Sequence, residues 1–376
     1  MRIGVDIRSL LSPTGRGVSH YTSALLRQMV RLDPGDEWLL LQTGARRFSL
    51  PAGLDAPQVT LRHVRVPNRL GNLAYFSGLA PRMDRLLGGI DVFFAPNFGF
   101  LRVGSGTPYV LTVHDLSFRI NPSWYTRHER LWHGMVKPRR LVRGATRVIA
   151  VSEQTRLELE RIYGVPREEV LVIHPGVDGA GEGSVGAAAL ARVAGRYALP
   201  ERYVLFLGAQ NPRKNVGFML EGYRQAREAG LESELVLAGS VSPDVERYRD
   251  RHPGLPVHQV DYVADDDRAA LYGGATALML VSHHEGFGFP PLEALAAGTP
   301  SVVSELSVFD ETLGDSALRV DGDVRELAER LLRLERDPGL REGLVGGADA
   351  IVGRFDWKRA AEETYAVLRE AAGAAG

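Results

Sequence analysis

The sequence predicts an α/β protein of two domains, each a parallel sheet covered by helices. Short apolar runs alternate with helical patterns along most of the chain, as they do in βαβ units. With 376 residues the chain is long for one hydrophobic core and ordinary for two domains. The charge is also divided, because residues 1–174 carry 24 Lys and Arg against 14 Asp and Glu, whereas the remainder has 21 against 32. Such asymmetry indicates two domains with different partners.

The composition excludes several classes of protein. Hydrophobic residues make up 44% and charged residues 24%, which are ordinary values for a globular protein. The sequence has no cysteine, which excludes disulfides, thiolate catalysis and cysteine metal sites. No apolar run approaches the ~18 residues that span a bilayer. MRIGVDI is typical of a strand and lacks the apolar core of a signal peptide, so a cytoplasmic protein is expected.

The first half contains seven predicted strands, each a short apolar run between turns. They cover residues 2–7, 38–42, 59–66, 92–95, 109–113, 147–151 and 170–173. Ser152 is predicted to cap the next helix, with Thr155 in its first turn.

The second half repeats this rhythm. Residues 178–196, rich in Gly and Ala, are predicted to form a linker and a poorly packed first helix. Its predicted strands cover residues 203–207, 235–239, 257–260 and 275–281. A final amphipathic helix is predicted over residues 357–370.

The loop after the first strand carries Gly15 and Gly17 and feeds a helix predicted to begin near Ser19. A dinucleotide fingerprint would place GxGxxG directly after the strand and an acidic residue at the end of the second strand. Here the string is GRGVSH, and the second strand ends in Gln42 and Thr43. The sequence therefore argues against a dinucleotide site of that kind.

His114 and Asp115 directly follow the apolar run VLTV. Open α/β sheets bind ligands at the carboxyl ends of their strands, so this pair is a candidate for substrate contact. The alternative is a histidine whose ring simply bonds to a nearby backbone group, and an isolated pair would favour that alternative.

Arg213 and Lys214 lie between a predicted strand and a helix predicted to begin near Asn215. One guanidinium fork and one compact ammonium at such a junction suit a diphosphate. The alternative is an ordinary surface turn.

Glu285 and Glu293 lie in SHHEGFGFPPLEALAAGTP, residues 282–300, which predicts a strand end, a glycine-rich loop and a helix from about Pro290. Free amides at a strand-loop-helix junction favour an anion such as phosphate. Two carboxylates beside it indicate partners such as sugar or ribose hydroxyls. The alternative is a solvated Glu285 and a Glu293 that favours the helix start electrostatically, from a position in the first turn.

Two charged runs allow simpler interpretations. Residues 265–267 are DDD, but acidic residues at a helix start are favoured by the helix dipole, so no metal site is predicted. Residues 124–147 combine seven basic residues with Trp124, Trp132 and Met135, as interfacial helices do. The alternative there is an ordinary basic face with core anchors.

Four motifs, in chain order, resemble those of the retaining glycosyltransferases of family four, the glycogen-synthase-like branch. They are GVSHY at 17–21, TVHD at 112–115, PRKN at 212–215 and EGFGFPPLEALAAGTPSVVS at 285–304. The resemblance covers almost the whole chain. It departs at Ser19, where the family has a second glycine, so Gly17 is carried over more firmly than the residues after it.

The resemblance implies a fold and a division of the chain. The fold is GT-B, with two Rossmann-like domains facing across a cleft and a C-terminal helix packing back on the N-terminal domain. Residues 1–174 with 357–376 would form the acceptor-side domain, and residues 175–356 the nucleotide-sugar-binding domain.

The resemblance also implies roles for the candidate residues. His114, with Asp115 beside it, and Glu285 would contact the transferred sugar, and Glu293 the ribose. Arg213 and Lys214 would stabilise the leaving diphosphate. The remaining donor-binding positions, mostly backbone amides, would be Gly15, Gly17, Gly286, Phe287, Gly288, Phe289 and Leu292.

The implied reaction is a retaining, metal-independent hexose transfer that needs no cofactor. Residues 298–318, GTPSVVSELSVFDETLGDSAL, resemble mannosyltransferase relatives, so GDP-mannose is the expected donor and UDP-glucose the next choice. The expected acceptor is a glycan or a lipid-linked glycan, with an anionic membrane surface as a partner and a peripheral location on its inner face. Nothing resembles a nucleic-acid-binding module, so no nucleic acid partner is expected. The sequence leaves the oligomeric state undetermined.

Three alternatives share this fold. They are a sucrose- or sugar-phosphate-type synthase with a soluble acceptor, a nucleotide-sugar epimerase, and a non-catalytic protein. The complete set of His-Asp, Arg-Lys and paired glutamates argues against the last two.

Overall fold

The computed structural model describes residues 1–11, 16–45, 47, 49–179 and 185–373. It divides into two compact units, the first made of Met1–Gly176 and Asp356–Gly376 and the second of Val177–Phe355. The predicted domain boundaries, after residues 174 and 356, lie within two residues of the boundaries between these units. Each unit has its own sheet and core, and the α/β class with two Rossmann-like domains is confirmed.

The first unit is built on seven parallel strands in the order β3-β2-β1-β4-β5-β6-β7. The strands are β1 (Arg2–Asp6), β2 (Glu37–Thr43), β3 (Val59–Val64), β4 (Val92–Ala95), β5 (Tyr109–Val113), β6 (Arg147–Ala150) and β7 (Val170–Val172). Neighbouring residues of the central strands, such as Phe93 and Phe94 of β4, are fully buried, because helices cover both faces of a parallel sheet.

Among the described residues, seven α-helices follow in chain order within the first part of this unit. They are α1 (Arg16–Met29), α2 (Asn68–Ser77), α3 (Met83–Leu86), α4 (Ser117–Ile120), α5 (Arg127–Val136), α6 (Pro138–Gly144) and α7 (Glu153–Tyr163). The Ser152 hydroxyl accepts a hydrogen bond from the Thr155 amide at 3.0 Å, which confirms the predicted cap of α7. Helix α1 begins at Arg16, three residues before the predicted start.

The second unit has six parallel strands in the order β10-β9-β8-β11-β12-β13. The strands are β8 (Tyr203–Leu207), β9 (Glu234–Ala238), β10 (Val257–Val260), β11 (Ala277–Leu280), β12 (Ser301–Ser304) and β13 (Ala317–Val320). Its helices are α8 (Ala187–Tyr197), α9 (Val216–Glu228), α10 (Pro243–Arg251), α11 (Arg268–Gly273), α12 (Phe289–Ala296), α13 (Ser307–Leu313), α14 (Val324–Arg336), α15 (Pro338–Val345) and α16 (Ala348–Val352).

The chain then returns to the first unit as α17 (Trp357–Gly373), which packs on α1 and near β4, β5 and β6. Its buried face includes Ala361, Tyr365 and Leu368. The Tyr365 hydroxyl donates to Asp36, and Arg147 forms an ion pair with Glu370. The predicted return of the last helix to the first domain is therefore confirmed.

The strands that sequence reasoning missed are β12 and β13. Each has four residues and only two or three apolar side chains, SVVS and ALRV, so neither produces a distinct apolar run. Among the described helices, none has the length and apolar content needed to cross a bilayer.

Candidate active site

The candidate site of the second unit lies where the strand order reverses, between β8 and β11. Arg213 and Lys214 follow the carboxyl end of β8, and Ser282 and Glu285 follow that of β11. Because β8 and β11 are adjacent and parallel, segments about seventy residues apart meet at one edge of the sheet. Open α/β sheets bind their ligands at such a switch point.

A short 3₁₀ turn, Pro212–Lys214, presents the two cations. The Asn211 side chain accepts a hydrogen bond from the Lys214 amide at 3.3 Å. Asn215 then adopts a left-handed conformation with φ of 53°, which asparagine tolerates better than most residues, and α9 begins directly after it. This local sequence turns Arg213 and Lys214 back toward the end of β11.

Four side chains form what is called here the Glu285 cluster: Arg213, Lys214, Ser282 and Glu285. The Lys214 ammonium lies 2.6 Å from Glu285 Oε1, and the Arg213 guanidinium 3.1 Å from Oε2. The Ser282 hydroxyl also donates to Oε1, at 2.5 Å. Arg213 additionally donates to the His284 carbonyl at 2.7 Å. The solvated-loop alternative for Glu285 is therefore wrong, since this side chain is buried and fully bonded.

The electrostatics of the cluster hold Glu285 ionised. Burial by itself raises the pKa of Glu285, but the charges of Lys214 and Arg213 and the hydrogen bonds from Lys214 and Ser282 lower it to about 2. The cluster brings two cations and one carboxylate together. The arrangement can therefore attract an anion while keeping a carboxylate beside it.

We expect the difference in stability between the wild type and the Glu285→Gln variant to depend on pH, because only the wild type has the titrating carboxylate. Because the folded pKa is depressed, the stabilisation is present above the unfolded value of 4.5 and is lost as the pH falls through about 2. The full shift corresponds to about 3 kcal/mol of unfolding free energy. The difference between the unfolding midpoint temperatures of the wild type and the variant should narrow as the pH falls from about 6 to about 3. A gap that stays constant over that range would contradict the depressed pKa.

The glycine-rich loop after Glu285 leads into α12 through a position that requires glycine. Gly288 has φ of 85°, and an added Cβ would lie 2.5 Å from the Phe309 ring. Phe287 is buried against Phe289 and Phe355, at ring-centroid distances of 5.0 and 5.4 Å. The Gly286–Phe289 segment is thus fixed in place by packing, with most of its residues buried. Its role in holding a diphosphate stays a prediction.

Leu292 and Glu293 of α12 differ in what they can offer a ligand. The Leu292 side chain is fully buried in the core, so only its backbone amide could serve a donor. Glu293 is the fifth residue of α12 and lies beyond the first turn, so the predicted first-turn position is wrong. Its Oε2 accepts hydrogen bonds from Arg268 and, at 2.6 Å, from the Tyr272 hydroxyl.

Arg268 and Tyr272 are members of the site that sequence reasoning missed. Burial and the neighbouring Glu293 raise the pKa of Tyr272 well above its usual value, so the phenol stays a hydrogen-bond donor. Both residues lie on α11, and the segment DRAALY that contains them gave no local sign of pairing with Glu293. Glu293 as a ribose ligand remains a prediction; the structure places it beside a cation and a phenol, with both contacts on the same oxygen.

His114 and Asp115 of the first unit directly follow the carboxyl end of β5. The His114 ring bonds the Pro96 carbonyl at 2.8 Å and lies edge-on to Tyr21, with ring centroids 4.7 Å apart. Burial lowers the pKa of His114, which favours the neutral ring. Asp115 accepts hydrogen bonds from the amide and hydroxyl of Ser117 at the start of α4. His114 thus has the backbone partner foreseen by the alternative interpretation, and a sugar contact by either residue remains a prediction.

Of the two candidate glycines after the first strand, Gly17 lies within the described residues. Gly17 is exposed in the first turn of α1, with open space around the position of an added Cβ. Gly15 lies outside the described residues.

The acidic run at 265–267 has a structural role. Asp267 is buried, and its carboxylate pairs with Arg192 at 2.5 Å and Arg196 at 2.8 Å while accepting a hydrogen bond from Tyr197. The hydrogen bond from Arg192 lowers the pKa of Asp267. These contacts fasten α8, which was predicted to be poorly packed, to the second unit.

A doubly wound unit with two cations at its switch point is suited to binding an anionic nucleotide. Two protein-family models match this chain and define its class more closely. Residues 15–180 match the model described as Glycosyltransferase Family 4, and residues 201–337 match the model Glycosyl transferases group 1. Together the two models cover most of both units, and the chain belongs to this group of glycosyltransferases.

Individual relatives share only part of this sequence. O-antigen chain mannosyltransferase B of Escherichia coli is 27% identical over 68% of this chain and 68% of its own length. A D-inositol 3-phosphate glycosyltransferase of Streptomyces bingchenggensis is 32% identical over 61% of this chain, and the match spans only 54% of that relative. The crystal structure of HepE from Anabaena, in complex with UDP and glucose, has a TM-score of 0.73 at 17% identity, covering 98% and 99% of the two chains. The likeness to HepE shows the fold alone.

Proposed function

We propose that this protein is a retaining glycosyltransferase that moves a hexose from a nucleotide-diphosphate sugar to a glycan or glycolipid acceptor. The Glu285 cluster is the observation that carries the proposal. It combines two cations suited to a diphosphate with a carboxylate suited to a sugar, at the sheet edge where nucleotides bind. Neither feature by itself would separate sugar transfer from simple anion binding.

The chemistry required is cleavage of the bond between the anomeric carbon and the diphosphate oxygen. Negative charge grows on the departing diphosphate, and Arg213 and Lys214 would stabilise it, together with backbone amides of the 286–289 loop. In the free protein both cations are engaged by Glu285. Donor binding would therefore exchange part of that ion pairing for contacts to the diphosphate, with Glu285 left facing the sugar.

Metal independence is proposed on the same ground. The role that a divalent ion plays in other transferases is to neutralise the diphosphate, and here two fixed cations are available for it. His114, with Asp115, is proposed to contact the sugar from the first unit, because it lies at the carboxyl end of β5. No general base is assigned.

The donor is proposed to be GDP-mannose, with UDP-glucose as the next choice. A relative of this chain is named for mannose transfer in O-antigen synthesis, which supports mannose and a polysaccharide product. The structure of HepE, which shares the fold at 17% identity, contains UDP and glucose. The protein is proposed to reach a lipid-linked acceptor as a peripheral protein on the cytoplasmic face of a membrane.

Thermal-shift titration with GDP, UDP and ADP, followed by transfer assays with the matching sugars, tests this proposal. A nucleotide present at 100 times its Kd should add about 2.7 kcal/mol to the unfolding free energy of the unit that binds it. We expect the largest shift with GDP and measurable transfer from GDP-mannose. If no common nucleotide sugar or nucleoside diphosphate binds, even by calorimetry, the proposed enzyme activity fails.

A soluble acceptor is the second candidate, because one relative is named for transfer to D-inositol 3-phosphate. A sugar-phosphate-type synthase would use the same donor site and the same cluster. Supplying the enzyme with a panel of sugar phosphates and of lipid-linked glycans, each with the donor identified above, separates the two. Product formation with only one class of acceptor decides between them.

A further inference from the structure

A small pocket of the first unit lies where the strand order of its sheet reverses, between β1 and β4. Open α/β sheets bind ligands at such a switch point, and the Glu285 cluster lies at the corresponding point of the second sheet. The pocket, called here the Asp6 pocket, has a volume of about 280 Å³. Its lining includes Asp6, Arg8, Asn72, Asn97, Gly99 and Trp132. These residues are distinct from those proposed to bind the donor.

An ion pair makes the Asp6 pocket polar without giving it a net charge. Nε of Arg8 donates to Oδ1 of Asp6 at 2.8 Å, and Nη2 donates to Oδ2 at 2.6 Å. Arg8 also donates to the Phe100 carbonyl at 2.8 Å, which holds the guanidinium in place. Within the described lining no other side chain is charged. The two charges offset each other, so the pocket favours a neutral polar ligand over an anion.

The Asp6 pocket also presents hydrogen-bonding atoms that a ligand can reach. Within the described part of the chain, the side-chain amides of Asn72 and Asn97 make no hydrogen bond, and neither does Nη1 of Arg8. All three side chains are half-buried, and none of these atoms is closed off from solvent. An amide can donate and accept, whereas a guanidinium only donates. A matching ligand must offer several groups that both donate and accept, as neighbouring hydroxyls do.

Aromatic side chains supply the apolar part of the lining. Phe98 and Phe100 are almost fully buried, and the half-buried Trp132 lies edge-on to Phe100 with ring centroids 6.2 Å apart. The sequence left an interfacial and a core role open for Trp132, and the structure packs it against Phe100 and the core. The face of an aromatic ring carries partial negative charge, which suits the C–H groups of a sugar ring.

We propose that the Asp6 pocket holds one neutral pyranose ring of the acceptor, with hydroxyls bonded to Asn72, Asn97 and Arg8 and its C–H groups against the aromatic side chains. With a volume of about 280 Å³, the pocket lies just below the ~300–1,000 Å³ usual for ligand sites, so it takes a single ring. The Pro96 carbonyl, next to Asn97, bonds the ring of His114 at 2.8 Å. The pocket therefore adjoins the residue proposed to contact the transferred sugar. The acceptor role rests on the proposed function, whereas binding of the ring does not.

Gly99 offers a way to fill the Asp6 pocket without disturbing the fold. An added Cβ would lie 3.5 Å from Nη2 of Arg8 and 3.6 Å from Oδ2 of Asp6, which are ordinary contact distances. The φ of Gly99 is not in the left-handed region, so alanine adopts the same backbone without strain. Gly99→Ala therefore places a methyl group beside the ion pair, in the space that the pyranose ring would occupy.

The direct test titrates the free protein with the methyl α-D-pyranosides of mannose, glucose and galactose and follows binding by ligand-observed NMR. We expect at least one of the three to bind saturably. Gly99→Ala should weaken that binding about tenfold or more, because the methyl group competes for space. Asn97→Ala should weaken it about tenfold, as loss of hydrogen bonds to hydroxyls does. In transfer assays both variants should raise the KM for the acceptor and leave nucleoside diphosphate affinity unchanged.

Three comparisons separate a sugar contact from a general effect on the protein. Gly106→Ala makes the same substitution at an exposed position of the same unit, with open space around the added Cβ, and should bind pyranosides as the wild type does. Lys214→Ala alters the proposed donor site, so binding that survives it but not Gly99→Ala belongs to the Asp6 pocket. Pyranosides that lack one hydroxyl should bind the wild type more weakly. Asn97→Ala should tolerate the deoxy form whose missing hydroxyl Asn97 would bond, which a purely structural role would not produce.

The outcomes distinguish the sugar site from the proposed transfer reaction. Pyranoside binding that Gly99→Ala and Asn97→Ala weaken supports the site, and a matching rise in acceptor KM assigns the ring to the acceptor. If no nucleotide binds but this pyranoside binding persists, the proposed transferase function fails and the sugar site stands. Neither saturable binding nor a change in acceptor KM, or equal losses in Gly106→Ala, overturns the proposal.

Discussion

Replacing Glu285 with glutamine is expected to lower turnover roughly a hundredfold or more while nucleoside diphosphate binding stays as tight or becomes tighter. Glutamine keeps the shape of the side chain but removes the charge that would face the sugar. The same charge engages Lys214 and Arg213 in the free protein, at 2.6 and 3.1 Å. Without it, both cations meet the diphosphate with less competition. Steady-state kinetics with the best donor, and calorimetry with the matching nucleoside diphosphate, measure the two effects separately.

Glu221→Gln is the matched control for this prediction. Glu221 also pairs with an arginine, Arg224, and its pKa is also lowered to about 2, but it lies on α9 outside the cluster. This variant should keep wild-type turnover. If Glu285→Gln lost as much nucleotide affinity as turnover, the carboxylate would belong to nucleotide binding and the assignment to the sugar would be wrong.

Lys214→Ala is expected to weaken nucleoside diphosphate binding about tenfold to a hundredfold. The loss exceeds that of a single contact, because Glu285 is left with Arg213 as its one cation and repels the diphosphate more strongly. Adding Glu285→Gln should therefore restore part of the affinity, so the two substitutions will not be additive. Calorimetry on the wild type, the two single variants and the double variant gives the coupling between the two residues.

Lys358→Ala is the matched control for Lys214→Ala. The lysines of the chain are Lys137, Lys214 and Lys358, and Lys358 is exposed on α17, where its ammonium lies 3.9 Å from Glu362. Lys358→Ala should bind nucleotide as the wild type does. A double variant that binds no better than Lys214→Ala would contradict competition by Glu285. Transfer that EDTA abolishes and a divalent ion restores would contradict the proposal that the two cations replace a metal.

The fold was largely predictable from the sequence because its signals are local. Apolar runs such as VFFA of β4 and YVLFL of β8 are too short for helices and are bounded by turns, which indicates strands buried on both faces. Where the signal was weak the prediction failed, as at β12 and β13. The helix start at Ser152 was predictable for the same reason, since a cap lies within three residues of its partner.

The candidate site was predictable only as separate pieces. The sequence by itself determined the two α/β units, the cations after β8 and the carboxylates after β11. The tertiary structure decided the pairing: Lys214 and Arg213 with Glu285, and Arg268 and Tyr272 with Glu293. The physical reason is that each partner is set by which strands and helices lie side by side. Strand order depends on packing across the whole unit, and no local pattern in the sequence records it.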